Sequence, residues 1–74
     1  DKEQDYFLIV SALVPYKRID LAIEVFNRRG ETFKIVGQGP EYKRLRRMAR
    51  SNIEFLGVLS DDDLLRIYQG ARAL

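Results

Sequence analysis

Along this chain, short unbroken apolar runs alternate with stretches in which apolar residues recur every three or four positions. Tyr6-Phe7-Leu8-Ile9-Val10 is an unbroken run rich in aromatic and branched residues, the pattern of a strand covered on both faces. After Pro15, Ile19, Ala22, Ile23 and Phe26 fall at i, i+3, i+4 and i+7, which predicts a helix ending near Gly30. Asn27, Arg28 and Arg29 fit its wet last turn, and the arginines suit the negative dipole end. Residues 32–36 form a second strand, closed by Gly37-Gln38-Gly39-Pro40, where glycine gives turning freedom and Pro40 suits a first helical position. Tyr42, Leu45, Met48 and Ala49 give the next helix an inward face, with basic residues on its solvent side and Ser51-Asn52 ending it. Residues 53–56 make a third strand. Ser60 reads as the N-cap of a third helix, with Asp63 at N3 in a variant capping box, and Leu64, Leu65, Ile67, Tyr68 and Ala71 carry that helix.

Strand and helix thus alternate three times with short connections. That order implies right-handed βαβ crossovers and a parallel sheet. The expected fold class is α/β: a three-layer parallel sheet forming half of a Rossmann-like doubly wound domain, β-α-β-α-β-α, with strand order 3-2-1. The first strand, central in a whole domain of this kind, is expected to be left as an unpaired edge.

Composition narrows the chemistry. At 74 residues the chain is one domain at most, and only about 60% of the surface of the unfolded chain can be buried at this size. With 46% hydrophobic and 32% charged residues it has the balance of a folded globular protein. It contains neither cysteine nor histidine, which excludes disulfides, zinc, Cys-His and Ser-His-Asp chemistry. No apolar run approaches the roughly 20 residues of a membrane span, and the acidic start of the chain is not a signal peptide, so a cytoplasmic setting is expected.

Charge is uneven. Lys43, Arg44, Arg46, Arg47 and Arg50 crowd one helix, but that helix lacks interleaved exposed aromatics and begins with Glu41, so a solvated face explains it better than nucleic-acid binding. Asp61, Asp62 and Asp63 at consecutive helical positions diverge in direction, so they cap and charge a helix start rather than hold a metal. Gly37-Gln38-Gly39 follows the second strand and lacks a third glycine, which argues against a dinucleotide cofactor.

Three loops leave the carboxyl ends of the strands: residues 11–16, 37–40 and 57–60. Ligands of open parallel sheets bind on that edge. The first loop leads into Lys17 and Arg18 at the start of a helix, where a phosphate would meet both side-chain donors and the positive dipole end.

The segment from Pro15 to Phe26 (PYKRIDLAIEVF), the Ile35-Val36-Gly37-Gln38-Gly39-Pro40 turn, and Asn52-Ile53-Glu54-Phe55-Leu56-Gly57 followed by Ser60-Asp61 occur together in one order and spacing. In these the chain, from Tyr6 to Leu74, resembles the C-terminal, donor-binding domain of the group 1 family of GT-B glycosyltransferases, retaining enzymes that use nucleotide sugars. The resemblance implies that residues 1–74 are a single partial donor-binding domain and that Lys17 contacts the donor diphosphate, with Arg18 beside it. It implies nucleotide-binding loops at Gly37 and Gly39 and at Gly57 and Val58. It also implies an arginine at the position of Ala12, which this chain lacks; in the family the basic pair stabilises the departing nucleoside diphosphate without a required metal. The family's fourth strand and its pair of glutamates would follow Leu74, and its acceptor-binding domain would precede residue 1. No complete catalytic set and no cofactor are therefore expected, and the chain alone is expected to be inactive. The implied partner is a GDP- or UDP-sugar, with GDP-mannose suggested by the basic turn and Tyr16. The rival reading is a self-associating interaction module, a homodimer pairing through the exposed first strand.

Overall fold

A computed structural model describes residues 5–72. Three strands, β1 (Tyr6–Val10), β2 (Phe33–Val36) and β3 (Ile53–Gly57), alternate with α1 (Ile19–Arg29), α2 (Tyr42–Met48) and α3 (Asp61–Gly70). A single 3-10 turn, Pro15–Lys17, precedes α1, and a two-residue strand, β4 (Ala71–Arg72), follows α3. The sheet is parallel throughout, in the order β3-β2-β1-β4.

The expected 3-2-1 order is present and is extended by β4. Ala71, expected on the third helix, instead pairs with Tyr6, and Arg72 pairs with Phe7. The first strand is accordingly not a bare edge: Tyr6 and Phe7 pair with β4, and Phe7 has a partner on each side. The reason is topological. A right-handed crossover from β3 carries α3 back across the sheet and delivers the chain beside β1.

That crossover also sets the layers. Phe33, Ile35 and Ile53 pack with Ile19, Ile23, Phe26, Leu45 and Leu13 beneath α1 and α2. Tyr6, Leu8 and Val36 face the other way, toward Leu64 and Ile67 of α3. Alternation along β1 therefore serves two cores, as a doubly covered strand requires. Phe26 joins the first core through ring contacts at 5.0 Å to Phe7 and 4.3 Å to Phe33. Burying each such side chain contributes about 1.5–3 kcal/mol.

Helix ends follow the sequence signals closely. Gly30 closes α1 in the left-handed conformation at φ 79°, its N–H donating to the Phe26 carbonyl. Ser60 caps α3, its hydroxyl accepting from the Asp63 N–H at 3.2 Å. The capping box is only half made, because the Asp63 carboxylate turns to Arg66 instead. Other expectations shift. Helix α2 starts at Tyr42 rather than near Pro40 and stops at Met48. Tyr42 is exposed, its ring meeting Phe55 edge-on, and Leu65 and Tyr68 lie on the open side of α3. A single helix covers that face, so only its Leu64–Ile67 side finds apolar neighbours.

Candidate functional site at the carboxyl edge of the sheet

The carboxyl ends of β1, β2 and β3 are bound into one shelf by backbone hydrogen bonds. The Ser11 N–H donates to the Val36 carbonyl at 2.9 Å, and the Leu13 N–H to Gln38 at 3.0 Å. The Leu13 carbonyl in turn accepts from Glu41 at 3.0 Å, and the Gly37 N–H donates to Gly57 at 2.8 Å. Leu13, in the middle of the first loop, is fully buried and pins this shelf to the core. Nothing in the periodicity marked it, since a lone leucine between a strand and a proline turn belongs to neither pattern.

The glycines of the second loop have a packing cause. A Cβ on Gly37 would lie 1.8 Å from the Ser11 carbonyl oxygen, and one on Gly39 would lie 2.4 Å from that of Leu13. Glycine at both positions lets the first and second loops touch backbone to backbone. Gly57 differs, with φ 69° and open space where its Cβ would stand. Because the amides of Ser11, Leu13, Gly37 and Glu41 are already satisfied within the shelf, an anion arriving there meets side chains rather than these N–H groups.

Lys17 ends the 3-10 turn on the exposed surface of this edge, its ammonium 5.5 Å from the ring of Tyr16. It has no carboxylate partner among the described residues. Tyr16 is 79% exposed, and Val58 on the third loop is 68% exposed. Ala12 is exposed on the first loop and presents only a methyl group where the family resemblance implies a guanidinium.

Arg18 is placed differently from its neighbour. It adopts the left-handed conformation, φ 52° and ψ 45°, closing the 3-10 turn and opening α1. Its Nε and Nη2 donate to the two carboxylate oxygens of Asp20 at 3.0 and 3.1 Å. That bidentate pairing holds the Asp20 carboxyl below its ordinary range and raises the guanidinium further. Arg44 of α2 approaches the same carboxylate at 4.0 Å and is itself bonded to Glu41. Two of the basic residues expected to be solvated are thus engaged, Arg44 here and Arg46 with the Tyr42 hydroxyl at 2.6 Å. The Glu41–Arg44 spacing was readable as an i,i+3 pair; the convergence on Asp20 was not, because it joins two helices.

The fold and this edge define a class: a Rossmann-like α/β half domain with loops gathered at the carboxyl ends of parallel strands and a cation exposed among them. The chain belongs to the group 1 glycosyl transferases, whose family model matches residues 1–74. It is also 32% identical over 74 residues to the O-antigen chain mannosyltransferase C of Escherichia coli, an alignment covering 95% of this chain and 20% of that protein. The chain therefore spans about a fifth of the length of the relative it matches. No helix among the described residues is long and apolar enough to cross a membrane.

Proposed function

We propose that this chain is the donor-binding portion of a sugar-transferring enzyme and that its carboxyl-edge shelf receives the diphosphate of a nucleotide sugar. Lys17 is the residue that meets the diphosphate. Its ammonium would stabilise the charge that develops on the departing nucleoside diphosphate, a contact stronger in the transition state than in the ground state. The glycine-bearing loops at Gly37, Gly39, Gly57 and Val58 lie along the same edge and border the nucleotide. The observation that carries this reading is the contrast between adjacent cations: Arg18 is committed to Asp20, whereas Lys17 stands exposed at the strand ends without a carboxylate partner among the described residues.

Membership of the group 1 family supports a nucleotide-sugar donor, and the relative named as a mannosyltransferase favours mannose as the sugar; GDP as its carrier is the choice suggested by the basic turn and Tyr16. With Ala12 in place of an arginine, Lys17 carries the diphosphate contact alone, and binding should be correspondingly sensitive to it. Calorimetric titration with GDP, UDP and pyrophosphate tests the assignment. GDP should bind more tightly than pyrophosphate, and Lys17→Ala should weaken it about tenfold or more, the scale of one charged hydrogen bond. Equal affinity for all three anions, or an unchanged affinity in the variant, would overturn it.

A further inference from the structure

The left-handed residue beside Lys17 is tied to two helices at once. Arg18 is the hinge between the 3-10 turn and α1: its N–H donates to the Pro15 carbonyl at 3.1 Å and its carbonyl accepts from Leu21 at 3.2 Å. Its conformation is one that a side chain other than glycine's resists, at about 1–2 kcal/mol. Its guanidinium is nonetheless held by a fork onto Asp20 in the first turn of α1. Asp20, only 15% exposed, is shared with Arg44, and Arg44 is fixed by Glu41, whose own N–H donates to Leu13 of the first loop. The ring of contacts thus runs from the turn to α1, on to α2, and back to the loop that leads into the turn.

We propose that Arg18, Asp20 and Arg44 are positioning residues, a charged clasp that fixes the Pro15–Lys17 turn against α2 and so holds Lys17 in place for an anionic ligand. This rests on the assignment of Lys17 to the diphosphate and gives Arg18 a different part from that of a second phosphate ligand. A planar fork suits this use, since both its bonds share one orientation and little side-chain freedom is lost per bond. The alternative, in which Arg18 is itself the phosphate ligand and Asp20 merely occupies it, makes the opposite prediction for one substitution.

That substitution is Asp20→Ala. Removing a negative charge near an anion site should by simple electrostatics tighten binding, and freeing Arg18 should tighten it further. The clasp predicts the reverse: GDP affinity falls about threefold or more, the range of an exposed ion pair that orders its ligand. Amide hydrogen exchange supplies a readout independent of ligand. In Asp20→Ala the N–H groups of Lys17 and Arg18, which bond to Val14 and Pro15 at 3.2 and 3.1 Å, should exchange faster, while protection at Ile35 stays as in the wild type. In Lys17→Ala the Arg18 amide should keep its protection although GDP binding is weakened. Tighter GDP binding by Asp20→Ala, or unchanged exchange at residues 17 and 18, would overturn the clasp. If wild type failed to bind GDP, the diphosphate assignment would fall, and the exchange comparison would still decide whether the clasp orders the turn.

Discussion

Gly39 lies directly against the backbone of Leu13: a Cβ built on it would come within 2.4 Å of the Leu13 carbonyl oxygen and 2.8 Å of the Leu13 nitrogen. Gly37 stands in the same relation to Ser11, with φ 140° adding a conformation that favours glycine. Neither neighbour is the tip of a flexible side chain, so the backbone itself would have to move. Gly37→Ala should therefore lower stability by about 3 kcal/mol, and Gly39→Ala by a comparable amount. Gly57→Ala, where nothing lies within 4 Å, should cost only about 1 kcal/mol from its positive φ. Urea midpoints of the three variants test this order; equal losses would mean that turning freedom alone, and not loop contact, explains the glycines.

The hydroxyl of Tyr6 donates to the carbonyl of Ile67 at 2.6 Å, linking β1 to the last turn of α3. Tyr6 is 4% exposed, and burial raises its pKa above the ordinary value of 10.0. Tyr6→Phe should lower stability by about 1–2 kcal/mol by leaving that carbonyl with one bond fewer. The same pair predicts an alkaline limit. The folded state holds the phenol proton more tightly than the unfolded chain, so its contribution is complete below about pH 10 and fades as pH rises through the folded-state value. Thermal melts across that window should show a fall in melting temperature that Tyr6→Phe lacks.

Two asparagines stitch the first helix to the second half of the chain. Asn52 donates to the carbonyls of Phe26 and Glu31 at 2.9 and 2.7 Å, and Asn27 donates to Met48 at 2.8 Å while accepting from the Arg50 N–H at 2.9 Å. Asn52→Ala should destabilise by about 1–3 kcal/mol, because it removes both bonds from half-buried carbonyls and leaves Asn27 as the one asparagine tie. Denaturant titration of Asn52→Ala, Asn27→Ala and the double variant checks this. A double variant that loses less than the sum would show the two acting as one joint.

These asparagines show where sequence reasoning reached and where it stopped. Repeating patterns located β1, β2, β3, α1, α2 and α3, and Gly30 and Ser60 marked the end of α1 and the start of α3, because periodicity and capping are local properties. Asn27 read as part of a wet helix end and Asn52 as a helix stop. Both readings described their own segments correctly, yet each side chain bonds across more than 20 positions. The two-residue β4 was missed for a similar reason: Ala71 continues an apolar helical spacing, and only its pairing with Tyr6 makes it a strand. At the candidate site the exposed position of Lys17 at the turn before α1 was legible from the strand-turn-helix order. The commitment of Arg18 was not, since its partner lies two positions away in a helix whose start is set by the left-handed residue itself.

Asp20 gives the charged clasp a signature in acid. Its carboxyl is held below the ordinary aspartate value of 3.8, first by the hydrogen bonds from Arg18 and then by the charges of Arg18 and Arg44. A depressed folded-state value means that the ionised pair stabilises the fold above the unfolded value, and that this stabilisation is lost as pH falls through the folded one. The window therefore opens below about pH 4 and continues downward. Both partners reach solvent, so salt should shrink the effect, as it does for exposed pairs. Melting temperature followed from pH 6 downward should bend below about pH 4 more in the wild type than in Asp20→Ala, and less in both as salt is raised. Asp63 and Glu54 also face basic side chains, which makes the difference between the two proteins the informative quantity. Identical acid profiles would mean that the Arg18–Asp20 fork contributes nothing to the folded state, and the turn that carries Lys17 would then be held by its backbone bonds alone.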